Sequence, residues 1–183
     1  MDQLLAAEAA GERLKFLAFW GHTQPADGSV GAHVLSQWFP HPFTREGVRY
    51  RTAEHFMMAE KARLFADQDR LTMILDAESP GEAKRLGREV QGFSSEVWDR
   101  ECVAIVRTGS IAKFASTLEM RSYLVGTGSR VLVEASPRDR IWGVGLALSN
   151  PAIEQPSQWL GRNLLGFALM QARAVLAAGG VQS

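Results

Sequence analysis

Along most of the chain, apolar residues return every three or four positions, the spacing that puts them on one face of an α-helix. The clearest case is Trp98, Cys102, Ile105, Gly109 and Ala112, which predict a core helix running to about Phe114. Ser94 is a cap for its start, and Phe93 is placed to staple onto Trp98. Similar patterning predicts a helix after Thr52 through about Phe65, a short one over 69–76, one opened by Ser79-Pro80-Gly81-Glu82, and one capped by Thr117 that ends before Gly126. A final amphipathic helix is expected from about Trp159 to about Ala177, stopping at Gly179-Gly180, and a short one, broken at Gly11, over 2–14. Three stretches read differently. Phe16-Leu17-Ala18-Phe19-Trp20 and Val131-Leu132-Val133-Glu134 are compact apolar runs suited to strands, and 43–50, centred on Glu46-Gly47, reads as a hairpin. The pattern predicts a mainly α fold with a small β component.

No linker divides the 183 residues, and 46% hydrophobic content can bury one good core. The expected organisation is an N-terminal extension helix in 1–15 and a single domain over 16–178. Formal net charge is zero, so no global basic field gathers nucleic acid or an anionic membrane. A nucleotide would have to be held by a local site, for which Arg45, Arg49 and Arg51 offer one basic patch. The one cysteine, Cys102, falls in a helical pattern and reads as a small core residue of a reducing compartment. No apolar run reaches the length of a membrane span, and Asp2 stands where a signal peptide would be basic, so a cytoplasmic protein is expected. His22, His33, His41 and His55 lack the spacing of a zinc site, and neither a phosphate-cradling loop nor a Gly-x-Ser-x-Gly elbow occurs. No metal and no cofactor is expected.

Charges and aromatic rings mark the candidate chemistry. Glu54 and Lys61 fall on one stripe of the helix after Thr52, two turns apart. The helix start favours an ionised Glu54, suited to a base, a nucleophile or a stabiliser of positive charge; the bland alternative is dipole complementation alone. Ser36-Gln37-Trp38 sits in a proline-stiffened aromatic segment that either lines a pocket, with Trp38 stacking on a base, or tucks rings under the core. Lys84 and Arg88 lie one turn apart, a phosphate clamp or a solvated basic face, and Gly87 between them allows close approach of another backbone. Glu134 ends a strand and leads through Asp139 to Trp142 and Gly143; Asn163 sits near a helix start where an anion or a cap is served.

The phrases Leu35-Ser36-Gln37-Trp38-Phe39-Pro40, Tyr50-Arg51-Thr52-Ala53-Glu54-His55-Phe56-Met57-Met58-Ala59-Glu60-Lys61-Ala62, Lys84-Arg85-Leu86-Gly87-Arg88, 134–143 and Gly161-Arg162-Asn163-Leu164-Leu165-Gly166 resemble the NADAR, or YbiA-like, family, in the expected order over about 16–176. The resemblance implies a single-domain orthogonal helical bundle and an N-glycosidase activity on ribosides. It implies as substrate either a phosphorylated ribosylamino intermediate of riboflavin synthesis or ADP-ribosylated guanine, with ADP-ribosylated nucleic acid as a candidate partner. It implies catalytic roles for Glu54, Lys61 and Asp139, with Lys61 either orienting the acid or, uncharged, attacking an opened sugar as a Schiff-base nucleophile. Ser36, Gln37, Trp38, Tyr50, Lys84, Arg88, Trp98, Glu134, Trp142, Gly143 and Asn163 complete the candidate site as substrate contacts. Two rivals stand beside it: a module that binds NAD or ADP-ribose without cleaving it, and an interaction protein whose Trp38 and Trp142 would be sealed in the core.

Overall fold

The computed structural model describes residues 1–179. Its elements are α1 (Asp2–Ala9), β1 (Phe16–Phe19), β2 (Phe43–Arg45), β3 (Val48–Tyr50), α2 (Ala53–Leu64), α3 (Gln68–Asp76), α4 (Pro80–Arg88), α5 (Ser95–Ala115), α6 (Leu118–Gly126), β4 (Val131–Glu134) and α7 (Leu164–Ala177), with short 3-10 turns at Ala32–Leu35, Pro151–Glu154 and Pro156–Gln158. The fold is mainly helical with a small β component, as the periodicity predicts. The hydroxyls of Thr52, Ser79, Ser94 and Thr117 accept the N–H groups of His55, Glu82, Val97 and Met120, so each expected cap satisfies one free amide.

Helix α5 is the central post: α7 and α2 pack along it, and α3 and α4 close over α2. Phe56 of α2 is buried against Gly109 of α5, where an added Cβ would stand 2.4 Å from the ring. A side chain so buried contributes about 2 kcal/mol, and the missing methyl lets the two helices approach. Strand β1 pairs in parallel with β4, in the register Phe19↔Glu134, and β2 pairs antiparallel with β3. Glu46 and Gly47 both have positive φ, 49° and 77°, the backbone a two-residue hairpin turn requires. Among the described residues no helix is long and apolar enough to cross a membrane.

Some boundaries differ from expectation. Helix α7 begins at Leu164 rather than near Trp159, because 160–163 bond to the 140–144 segment: Leu160, Arg162 and Asn163 donate to the carbonyls of Val144, Arg140 and Gly143. Gly179 ends the last turn with φ 79°, and the expected Gly180 stop lies outside the described residues. Helix α1 stops at Ala9 and is tethered by the Glu8 carboxylate, which accepts the N–H and hydroxyl of Ser157. Trp20 is 62% exposed instead of closing β1. Phe93 packs edge-on against Phe65, with ring centroids 5.3 Å apart, and lies under the Lys61 ammonium.

Candidate active site

The segment that follows the Ala32–Leu35 turn lies across the start of α2. The Gln37 carbonyl accepts the Glu54 N–H at 3.0 Å, and Ser36 Oγ accepts the Trp38 N–H at 3.2 Å. Ser36 and Gln37 thereby fix the backbone that brings Trp38 to Glu54. The Glu54 side chain is buried, and its Oε1 has no hydrogen-bond partner. Burial pushes its pKa up to about 7; the Lys84 charge, the Trp38 side chain and Arg88 oppose the rise, and Asp139 adds to it. The helix start therefore does not hold Glu54 ionised, contrary to the sequence-based expectation. Its own N–H is spent on Gln37 and that of His55 on Thr52, so desolvation outweighs the peptide dipoles.

A second acid reaches the same place from β4. Asn163, fully buried with a left-handed backbone (φ 53°), accepts the Glu134 N–H on Oδ1 at 3.0 Å and donates Nδ2–H to the Leu132 carbonyl at 2.9 Å. It completes the open edge of β4 as a neighbouring strand would, and at the N-cap position of α7 its side chain makes no capping bond. Glu134 Oε2 is sealed without a partner, and burial, Asp139 and Glu54 push the Glu134 pKa up to about 8 against the pull of Lys84. Asp139 Oδ1 accepts the N–H groups of Ile141 and Trp142 at 2.9 and 2.8 Å, so this carboxylate shapes the turn that carries Trp142 while its charge acts on both glutamates. A Cβ on Gly143 would lie 2.8 Å from the Glu134 carbonyl, and one on Gly161 would lie 2.3 Å from the Gly143 carbonyl. Only glycine permits that knot.

Lys84 is half-buried, its ammonium 5.8 Å from the centre of a Trp38 ring, and Arg88 is exposed one turn away. Lys61 is placed elsewhere. Its Nζ donates to the Gly87 carbonyl at 2.7 Å and stands over Phe93 and Trp98, with ring centroids at 4.1 and 5.6 Å; burial alone lowers its pKa. The lysine that acts on both acids is thus Lys84, while Lys61 ties the last turn of α4 to α2 and keeps company with Trp98. Gly87 is needed for a side chain, not a backbone: a Cβ there would fall 2.1 Å from Met58 Sδ. Tyr50 also lies apart, its hydroxyl accepting from Arg63 at 2.9 Å inside a cavity of about 390 Å³ whose lining includes neither Glu54 nor Glu134. The arginines of that cavity are already paired, Arg63 with Glu60 and Arg45 with Glu46, whereas the unpartnered acids are at Glu54 and Glu134. Chemistry therefore points to the acids. Trp38 and Trp142 are half-buried, not sealed as the interaction-protein reading requires.

Residues 18–177 match the NADAR domain. The chain belongs to the NADAR family. It is 37% identical to the N-glycosidase R617 of Acanthamoeba polyphaga mimivirus over 87% of this chain and 95% of that protein. It is 30% identical to the N-glycosidase YbiA of Escherichia coli (strain K12) over 74% of this chain and 76% of that one. The NMR structure of the Escherichia coli protein YbiA superimposes with a TM-score of 0.71 at 26% identity, covering 92% of this chain and 89% of that chain. The NADAR fold expected from the sequence phrases is therefore the fold observed.

One buried charge of this NADAR domain was missing from the sequence-based site. Lys113 is 1% exposed, and burial lowers its pKa to about 7. A signal for it existed: Cys102, Val106, Gly109 and Lys113 follow the four- and three-residue steps of the buried face of α5, where a lysine is out of place.

Proposed function

We propose that this chain is a cytoplasmic N-glycosidase that hydrolyses the C1–N bond of a phosphate-bearing ribosylated base or ribosylamine. The observation that carries the reading is the pair of glutamates, Glu54 and Glu134, each with a buried oxygen lacking a partner, under the common influence of Lys84 and Asp139. Breaking a ribosyl C1–N bond builds positive charge on the sugar and negative charge on the leaving nitrogen. A pair of carboxyl groups, one ionised and one protonated, answers both.

Glu54, nearer ionisation and flanked by Lys84, Arg88 and Trp38, takes the role of carboxylate. It stabilises the oxocarbenium-like sugar and accepts a proton from the water that attacks C1. Glu134, pushed higher, holds a proton near neutrality and gives it to the nitrogen as the C1–N electron pair moves there. Water's remaining hydroxyl ends on C1, and the two protons balance between the glutamates. Lys84 and Arg88 supply the cationic side on which a substrate phosphate is bound, and Trp38 offers a ring face for stacking.

Two substrate types share this chemistry, a phosphorylated ribosylamine of riboflavin synthesis and guanine-linked ADP-ribose. Each is incubated with the protein, with Glu54→Gln as control, and free base is measured against ribose phosphate or ADP-ribose. Release in one arm, lost in the variant, supports the reading and names the substrate. Saturable binding without release in either arm overturns it in favour of an ADP-ribose-binding module.

A further inference from the structure

Lys113 is the most buried cation among the described residues, and no carboxylate pairs with it. Its ammonium donates to the carbonyls of Val34 and Ser36, both at 2.7 Å, and stands over the rings of Phe114 and Phe39 at 5.2 and 5.8 Å. Two N–H groups are thus spent on backbone and the rest of the charge faces aromatic rings. Both carbonyls belong to the segment that crosses the start of α2. Within the next two residues that segment bonds the start of α2, the Gln37 carbonyl accepting the Glu54 N–H, while Ser36 Oγ holds the Trp38 N–H and so sets the ring whose side chain acts on the Glu54 carboxyl.

We propose that Lys113 is a positioning residue of the acid site: its ammonium pins the Val34–Ser36 backbone, and that backbone sets Trp38 and Gln37 against Glu54. Lys113 touches no reacting atom; it acts through Trp38. An uncharged apolar side chain would fill the same space but leave the Val34 carbonyl buried without its donor, which frees the segment to move toward another partner. Other titratable groups face the ammonium: His33 and His41, both held below the usual imidazole range by burial and by the Lys113 charge, with Glu119 acting on His41 from α6. His41 is further bonded through Ser116, whose hydroxyl donates to the Lys113 carbonyl. Deprotonated histidines leave the ammonium without a competing charge on that side.

The role rests on the reading of Glu54 as the functional carboxylate, yet its test needs no substrate. The midpoint of the Glu54 carboxyl is measured by carbon NMR in the wild type, Lys113→Met, Trp38→Phe and the double variant. Because the Trp38 side chain acts to lower that midpoint, moving the ring away raises it; the expected shift is upward by roughly one pH unit in each single variant. The double variant is expected to show no further shift, because both changes break one chain of contacts. An unchanged midpoint in folded Lys113→Met, or shifts that add in the double variant, overturns the proposal. If Lys113→Met does not fold, Glu54→Gln serves instead: the Trp38 indole proton is then expected to shift with the midpoint of Lys113, and an indole resonance blind to that titration overturns the proposal equally. Undiminished turnover in Glu54→Gln would refute the function proposed above while leaving these couplings measurable.

Discussion

Asn163 holds Glu134 by its backbone: Oδ1 accepts the Glu134 N–H at 3.0 Å while Nδ2 donates to the Leu132 carbonyl, two residues back on the same strand. Replacing Asn163 with Ala removes both bonds from buried groups and strains a left-handed residue, an expected loss of about 3 kcal/mol. Denaturant unfolding checks this, and Asn163→Gly separates the terms, since it relieves the backbone and still loses the clamp. Both variants are expected to lose turnover as Glu134 drifts.

Glu54→Gln is expected to lose on the order of a hundredfold or more in turnover while gaining stability at alkaline pH. The sign follows from the raised pKa. Between the ordinary carboxyl value and about 7 the unfolded chain has lost a proton that the folded chain keeps, so this group costs stability as pH rises through that window. Removing the charge is expected to return on the order of 3 kcal/mol at pH 8 and nothing at pH 4. Thermal unfolding at the two pH values is the check.

The proposed two-carboxyl mechanism predicts a pH optimum. With Glu54 near 7 and Glu134 near 8, the latter raised further by ionised Glu54, the singly protonated site is most populated between these values. A narrow bell in kcat/KM is expected, falling on both sides of that interval. A flat profile from pH 5 to pH 9 would remove the two-carboxyl mechanism.

Lys84 and Lys61 are separable by the same profile. The Lys84 charge lowers both acids, so Lys84→Met is expected to move both limbs to higher pH. Lys61→Met frees the Gly87 carbonyl at the end of α4, with an expected cost of about 1 kcal/mol in stability and limbs left in place. Borohydride added during turnover is expected to leave no adduct on Lys61, because that amine is engaged at Gly87 rather than at the acids; mass spectrometry of the protein decides.

Much of the fold could be read from residues with local causes. Thr52, Ser79, Ser94 and Thr117 begin helices because a hydroxyl beside free amides needs no distant partner, and Glu46-Gly47 turns a hairpin by its own backbone preference. The site was less legible. Glu54 and Glu134 could each be singled out in the sequence, but their high pKa values come from desolvation by the packed domain and from the Asp139 charge, with Glu54 adding to the rise of Glu134, and no local window contains these. The stripe that joins Glu54 to Lys61 is real on an isolated helix. In the domain, Lys61 is drawn to the carbonyl end of α4 and Lys84 takes its place beside the acids.

Most helices, their caps, the hairpin and the family follow from the order of residues alone, since these depend on contacts a few residues long or on phrases in a fixed order. Which charges meet is set by packing between segments far apart in the chain. Bringing the start of α2, the end of β4 and the face of α4 together removes water from two carboxyl groups at once, and the free energy of an ion depends on everything that has displaced its solvent.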